Sequence, residues 1–151
     1  MSIAQILIAQ GATLATAESC TGGRIASLLT RQAGASEWYV GGVVAYSRLA
    51  KKEVLGLTSE SLSAGTVSEK CARGMARHAA LLLNADYAVA TTGVCGPSEC
   101  EGFPPCYVWV AVKTPRGISA FLVESEDKGR EGNIDFVAAE ALRLLQEEME
   151  R

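Results

Sequence analysis

Apolar positions along this chain switch repeatedly between a helical and a strand period, and the switching predicts an architecture. Ile3, Ile6 and Leu7 fall at helical spacing, with Ser2 placed to cap a helix and Gly11 to end it. "TLATAE" (13–18) then reads as a short buried strand, and from Gly22 to Gln32 the helical period returns with Ile25, Leu28 and Leu29 on one face. "EWYVGGVVAYS" is β-branched and aromatic, a strand interrupted by Gly41–Gly42, and "RLAKKEVLG" predicts a short helix ending at Gly56. Ser68 opens the clearest helix, whose stripe runs through Cys71, Met75, Ala79 and Leu82. "DYAVATTG" (86–93) is a nearly continuous apolar run, the signature of a central strand covered on both faces. "YVWVAVKT" and "ISAFLVES" flank a turn at Pro115–Gly117 and predict a hairpin. A last helix runs from about Asn133 to Met149, with Val137, Ala138, Ala141, Leu145 and Met149 inward. Helices interleaved with strands, plus one hairpin, predict an α/β fold: a three-layer α/β/α sandwich on a mixed β-sheet, in one domain spanning residues 1–151.

Composition narrows the function classes. Hydrophobic residues make up 48% and charged residues 21%, a globular balance, and 151 residues suffice for a sizeable core. The net charge of −3 and the scattered Lys and Arg leave no basic footprint, so nucleic acid is not an expected partner. Met1–Gly11 has neither a basic leader region nor an apolar stretch that could span a membrane, so the cytoplasm is the expected compartment. There the five cysteines stay reduced. Cys95, Cys100 and Cys106 cluster, but their spacing matches no standard zinc pattern; incidental thiols, a loop disulfide and a metal site all remain open.

Three stretches could carry chemistry. "AESCTGG" (17–23) places Ser19 between a strand end and a helix start, where unpaired N–H groups and a partial positive charge suit an attacking oxygen, a phosphate or an oxyanion. The alternative is that Ser19 and Thr21 only cap the helix and Gly22–Gly23 let it pack closely. A nucleophilic serine needs a base, and the single histidine, His78, lies mid-helix beside an apolar stripe, which argues for a structural role. Lys51, one turn beyond Tyr46 and Ser47, could serve if desolvation lowers its pKa; otherwise Lys51 and Lys52 are solvated helix lysines. "TTGVCGPSECEG" (91–102) follows the central strand and brings Thr92, Gly93 and Gly96 to its carboxyl end, either to hold a ligand or simply to make a turn at Gly96–Pro97. All three stretches sit at carboxyl ends of strands, so the fold can gather them in one crevice.

In this order, "AESCTGG", "YS" with a lysine four residues after the serine, "GTVSE" and "TTGVCGP" closely resemble the CinA carboxy-terminal domain family, over about Thr13 to Leu145. Its active members are nicotinamide-nucleotide amidohydrolases, which convert nicotinamide mononucleotide (NMN) to nicotinic acid mononucleotide and ammonia. The resemblance implies Ser19 as nucleophile, Lys51 as base and Tyr46 as the group orienting the pair or relaying a proton. Thr21, Gly22, Gly23, Thr92, Gly93, Gly96 and Arg130 would hold the oxyanion and the nucleotide. It calls for no metal or cofactor, and implies a homo-oligomer acting on a small nucleotide. The chain departs from the family's pattern in the loop "VCGPSECEG", at Arg48, at Cys106–Tyr107 and in "KGREGN", where Arg130 stands for the family's arginine but the preceding aspartate is missing; Ile134 and Asp135 occupy the place of a second arginine. Glu99 and Glu101 would repel a phosphate if they pointed inward. With the surround altered, the same residues also fit an amidohydrolase for a different amide, a non-catalytic nucleotide-binding module, or a purely partner-binding protein.

Overall fold

The computed structural model describes all residues from Met1 to Arg151. Its elements are α1 (Ile3–Gln10), β1 (Leu14–Glu18), α2 (Arg24–Thr30), β2 (Tyr39–Val44), α3 (Arg48–Glu53), α4 (Glu69–Leu83), β3 (Tyr87–Val94), β4 (Tyr107–Thr114), β5 (Gly117–Glu124) and α5 (Arg130–Met149). The five strands form one sheet in the order β2-β1-β3-β4-β5. The first three are mutually parallel, while β4 and β5 run antiparallel as a hairpin turning at Pro115–Arg116. The sandwich on a mixed sheet is therefore as expected.

Side-chain alternation along β1 explains the layers. Leu14 belongs to one core with α1, α2 and α5, through Leu7, Ile25, Leu29, Val137 and Leu145. Ala15 and Ala17 turn to the opposite face and meet α4 through Cys71, Ala72, Met75, Ala76 and Ala79. This second interface is built almost entirely from small residues, so α4 lies close on Ala88, Ala90 and Ala111. The β1–α2–β2 crossover lies on one face and the β2–α3–α4–β3 crossover on the other. The carboxyl ends of β1, β2 and β3 are thereby left open beside one another, where doubly wound sheets bind ligands.

Capping follows the expected chemistry at α1, where Ser2 and Gln5 form a reciprocal capping box and Gly11 closes the helix at φ 62°. Three local readings need correction. Gly41–Gly42 does not interrupt β2; the strand runs through it, because a Cβ at Gly42 would strike Thr16 Oγ1, which is hydrogen-bonded to the Tyr39 hydroxyl at 2.7 Å. Leu82, read as part of the α4 stripe, lies in the last turn and is 55% exposed, while Cys71, Met75 and Ala79 are fully buried. α5 begins at Arg130, not Asn133, because the Asp127 side chain accepts the Gly129 amide and Asn133 reaches back to bind Asp127. No helix is long and apolar enough to cross a membrane.

Candidate active site

β1 ends at Glu18, so Ser19 is the first residue beyond the sheet, its amide still bonded to the Thr91 carbonyl of β3 at 3.0 Å. The chain then turns sharply through Gly22 and Gly23, at φ 58° and 100°, backbone that a side chain would strain. α2 starts immediately afterwards without a side-chain cap on Gly23. Glu18 supplies the cap instead. Its buried carboxylate accepts the Ile25 amide at 2.9 Å, the Ala26 amide at 3.0 Å and the Thr21 hydroxyl at 2.6 Å. Nothing local in the sequence identified Glu18, because a cap normally follows a strand rather than ending it.

This corrects part of the expected site. Thr21, Gly22 and Gly23 do not line the crevice. The Thr21 hydroxyl is committed to Glu18 and to Thr91 Oγ1, 2.8 Å away, and the α2 amides are already filled by a carboxylate. The two glycines make the bend and lie outside the lining of the cleft. Cys20 lines the crevice, and its amide makes none of the chain's backbone–backbone hydrogen bonds.

Ser19 and Lys51, 32 residues apart, are brought together. Lys51 lies in the last turn of α3, 1% exposed, and its Nζ is 2.8 Å from Ser19 Oγ. The amine also donates to the Ala45 carbonyl at 2.9 Å and the Tyr46 carbonyl at 3.0 Å. It makes no ion pair, and burial pulls its pKa below the usual lysine value of 10.5. The partners suit both protonation states. A charged amine donates to all three oxygens, and Ser19 then donates to the Tyr46 carbonyl at 3.2 Å. A neutral amine keeps two N–H groups for the two carbonyls and turns its lone pair to the serine hydroxyl. That second arrangement is a nucleophile beside its base.

Tyr46 contributes through its backbone rather than its ring. Its carbonyl touches both Ser19 and Lys51, whereas its phenol is at the mouth, where Arg130 donates to the hydroxyl at 2.8 Å. Arg130 also donates to the Gly96 carbonyl and so spans the opening. Thr92, Gly93 and Gly96 line the same cleft, of about 190 Å³, with Ser19 and Lys51. Thr92 donates to the Thr66 carbonyl at 2.7 Å, and Gly93 is small because a Cβ would collide with the Tyr107 carbonyl and Val108 on β4. His78 is outside the cleft, its Nδ1 2.9 Å from the Leu55 carbonyl, in keeping with a structural histidine.

The altered loop proves well tied. Glu101 does not point at the cleft; its carboxylate accepts the Thr66 amide at 3.0 Å, the Thr66 hydroxyl at 2.6 Å and the Val67 amide at 3.1 Å. Burial alone would raise its pKa, but these hydrogen bonds prevail and hold it below the usual 4.5. Gly65 fits this latch, since a Cβ there would strike Glu101 Oε1. Fully buried Asn133 pins the other end of the loop by donating to the Cys95 carbonyl at 3.0 Å. Asp135, in the place of a second arginine, pairs with Arg24 of α2. All five cysteines are free thiols.

A mixed five-strand sheet in the order β2-β1-β3-β4-β5 defines the fold, and comparison with known proteins gives the family. The CinA C-terminal domain pattern matches residues 1–149, and the chain belongs to that family. The nicotinamide-nucleotide amidohydrolase PncC of Escherichia coli is 44% identical over 117 residues, covering 76% of this chain and 71% of that protein. A CinA-like protein of Shewanella piezotolerans is 38% identical over 95% of this chain. The chain spans about a third of such longer relatives: 34% of the Shewanella protein, and 31% and 28% of curated relatives from Streptococcus agalactiae and Desulforamulus reducens. Among solved structures, a CinA superfamily protein from Klebsiella pneumoniae superposes with a TM-score of 0.92 at 36% identity, covering 97% of this chain and 92% of that one. A competence/damage inducible protein from Agrobacterium tumefaciens gives 0.91 at 34% identity, covering 99% and 92%.

Proposed function

We propose that this protein is an amidohydrolase that removes ammonia from the carboxamide of a nicotinamide nucleotide, with NMN as substrate. The observation that carries the reading is the 2.8 Å approach of an ion-pair-free, buried Lys51 amine to Ser19 Oγ at the floor of the cleft. The likeness to PncC supplies the substrate class.

In this mechanism Lys51, neutral, takes the Ser19 proton as Oγ attacks the carboxamide carbon. Negative charge develops on the amide oxygen, which the backbone amide of Cys20, next to Ser19, would stabilise; losing one such donor costs roughly 3 kcal/mol in well-studied hydrolases. Collapse breaks the C–N bond while Lys51 returns the proton to the leaving nitrogen, so ammonia departs and an ester remains on Ser19. Water then attacks the ester with Lys51 again as base, giving the carboxylic acid and free serine. Tyr46 orients the pair through its carbonyl, and Arg130 at the mouth offers a cation to the phosphate. Thr92, Gly93 and Gly96 shape the wall that the nicotinamide ring meets.

The test is ammonia release from NMN by the wild type and by Ser19→Ala. The reading expects turnover by the wild type and none by the variant, with nearly the same melting temperature. A wild type that releases no more ammonia than a blank defeats the assignment. If NMN raises the melting temperature without being consumed, the chain is a binding module instead.

A further inference from the structure

The mechanism makes no use of Glu101, a residue whose backbone and side chain point to different purposes. Its φ is 53°, and the only other non-glycine residue with a positive φ is Asn84, at 50°. Asn84 closes α4, where left-handed backbone is routine and asparagine suits it. Glutamate has no such fitness for that conformation, and the next residue, Gly102 at φ 86°, already supplies a left-handed step. A turn alone would be made more easily with glycine at both places. The side chain is therefore what keeps a glutamate here, and a residue held against its backbone preference directs attention to what it binds.

Glu101 does not line the cleft, but Thr66 and Val67, which its carboxylate binds, both do. Oε2 accepts the Thr66 amide at 3.0 Å and the Thr66 hydroxyl at 2.6 Å, and Oε1 accepts the Val67 amide at 3.1 Å. Neither residue makes a backbone–backbone hydrogen bond, so the carboxylate alone fixes their amides. Thr92 of β3 takes the Thr66 carbonyl at 2.7 Å. Ser68, the next residue, is committed elsewhere: it caps α4 through the Cys71 amide and donates to the Gly65 carbonyl. This stretch of the cleft wall is therefore held in place by two side chains, one from β3 and one from the loop that follows it.

We propose that Glu101 is a positioning residue for the hydrolysis: from outside the cleft it fixes Thr66 and Val67 as the wall beside which the substrate is seated for Ser19 and Lys51. The role rests on the amidohydrolase reading. It requires a carboxylate, because both oxygens act as acceptors; glutamine offers one acceptor and turns an NH₂ group toward donors at the other. It also leaves the reacting pair alone. Lys51 bonds to Ser19 and to the Ala45 and Tyr46 carbonyls, and none of these groups touches Glu101, Thr66 or Val67. Freeing the wall therefore weakens the seating of the substrate without disarming the nucleophile or its base, and the loss falls on KM and not on kcat.

The experiment compares the wild type with Glu101→Gln and Glu101→Gly, each shown to be folded at room temperature by circular dichroism. Expected is a KM for NMN raised about ten-fold in both variants, the loss of one hydrogen bond to a charged group, with kcat within about two-fold of the wild type. Glycine suits the left-handed backbone and glutamine does not, so a shared KM defect ties the effect to the carboxylate and not to the turn. Thr66→Val, which deletes only the hydroxyl arm, should raise KM by a smaller factor, and Thr66→Ser should leave it unchanged. Hydrogen exchange gives a readout without turnover: the Thr66 and Val67 amides should exchange faster in the Glu101 variants, while the Ile25 and Ala26 amides held by Glu18 stay as they were. An unchanged KM in a folded variant, a loss confined to kcat, or unaltered exchange at Thr66 and Val67 overturns the role. A wild type that neither binds nor consumes NMN defeats the amidohydrolase reading and this role together, whereas an active wild type with unaffected variants defeats this role alone.

Discussion

Replacing Glu18 by glutamine tests how the bend after β1 is held. The carboxylate is 1% exposed and accepts three hydrogen bonds, two of them from the first-turn amides of α2. Glutamine keeps the shape and one acceptor oxygen, but turns an NH₂ group toward either the Ile25 or the Ala26 amide, donor against donor. Losing one hydrogen bond to a charged group costs about 1.5–3 kcal/mol, and losing the negative charge at the start of α2 adds roughly 0.5–1 kcal/mol. Glutamine is cheaper to bury than a carboxylate, which pulls the total back to about 2 kcal/mol. At 2–4 °C per kcal/mol for chains of about this length, the melting temperature should fall by roughly 4–8 °C. Circular dichroism melts and urea unfolding at pH 7 measure this directly. A destabilisation below about 0.5 kcal/mol with an unchanged urea slope would refute the claim that Glu18 caps α2.

Lys51→Met should cut ammonia release from NMN by at least about 100-fold, the lower range for a general base. Its stability carries a pH signature: the folded-state pKa of Lys51 is lowered, so between that value and 10.5 the unfolded chain binds more protons and wild-type stability rises with pH. The difference between wild type and Lys51→Met must therefore shift in favour of the wild type from pH 7 to pH 10; a flat difference contradicts it. Gly93→Ala drives a Cβ into the Tyr107 carbonyl and Val108 backbone, and should destabilise by about 2–3 kcal/mol or prevent folding, read by urea unfolding. Glu101→Gln loosens the latch on Thr66–Val67 and should cost about 1 kcal/mol, discounted because the carboxylate is exposed. Since the Glu101 pKa is lowered, that contribution is present above pH 4.5 and fades as pH falls through the folded value, so the two proteins should converge in acid.

The parts of the site legible in the sequence were those set by local rules. A helix-terminating glycine, a strand's apolar run and a left-handed glycine pair each act within a few residues, so the strand ends and the positions of Ser19 and Lys51 followed from periodicity. What stayed hidden depends on contacts between distant segments. Glu101 meets Thr66 from 35 residues away, and Asn133 meets Cys95 from 38. Glu18 looked like the polar end of a strand because its partners lie around a bend whose geometry only the two glycines define. Tyr46 was legible as a candidate site residue, but not the fact that its carbonyl is what meets Ser19 and Lys51, since sequence shows side chains and conceals where the backbone points.

The most direct test of the account follows the protonation of Lys51 itself. With lysine carbon-13 labels and Lys51→Met to assign the signal, the side-chain ε-carbon shift is titrated from pH 6 to pH 11. The account predicts a midpoint for Lys51 clearly below 10.5, the direction in which burial drives it. A midpoint at or above 10.5 would leave the serine without its base and contradict the mechanism.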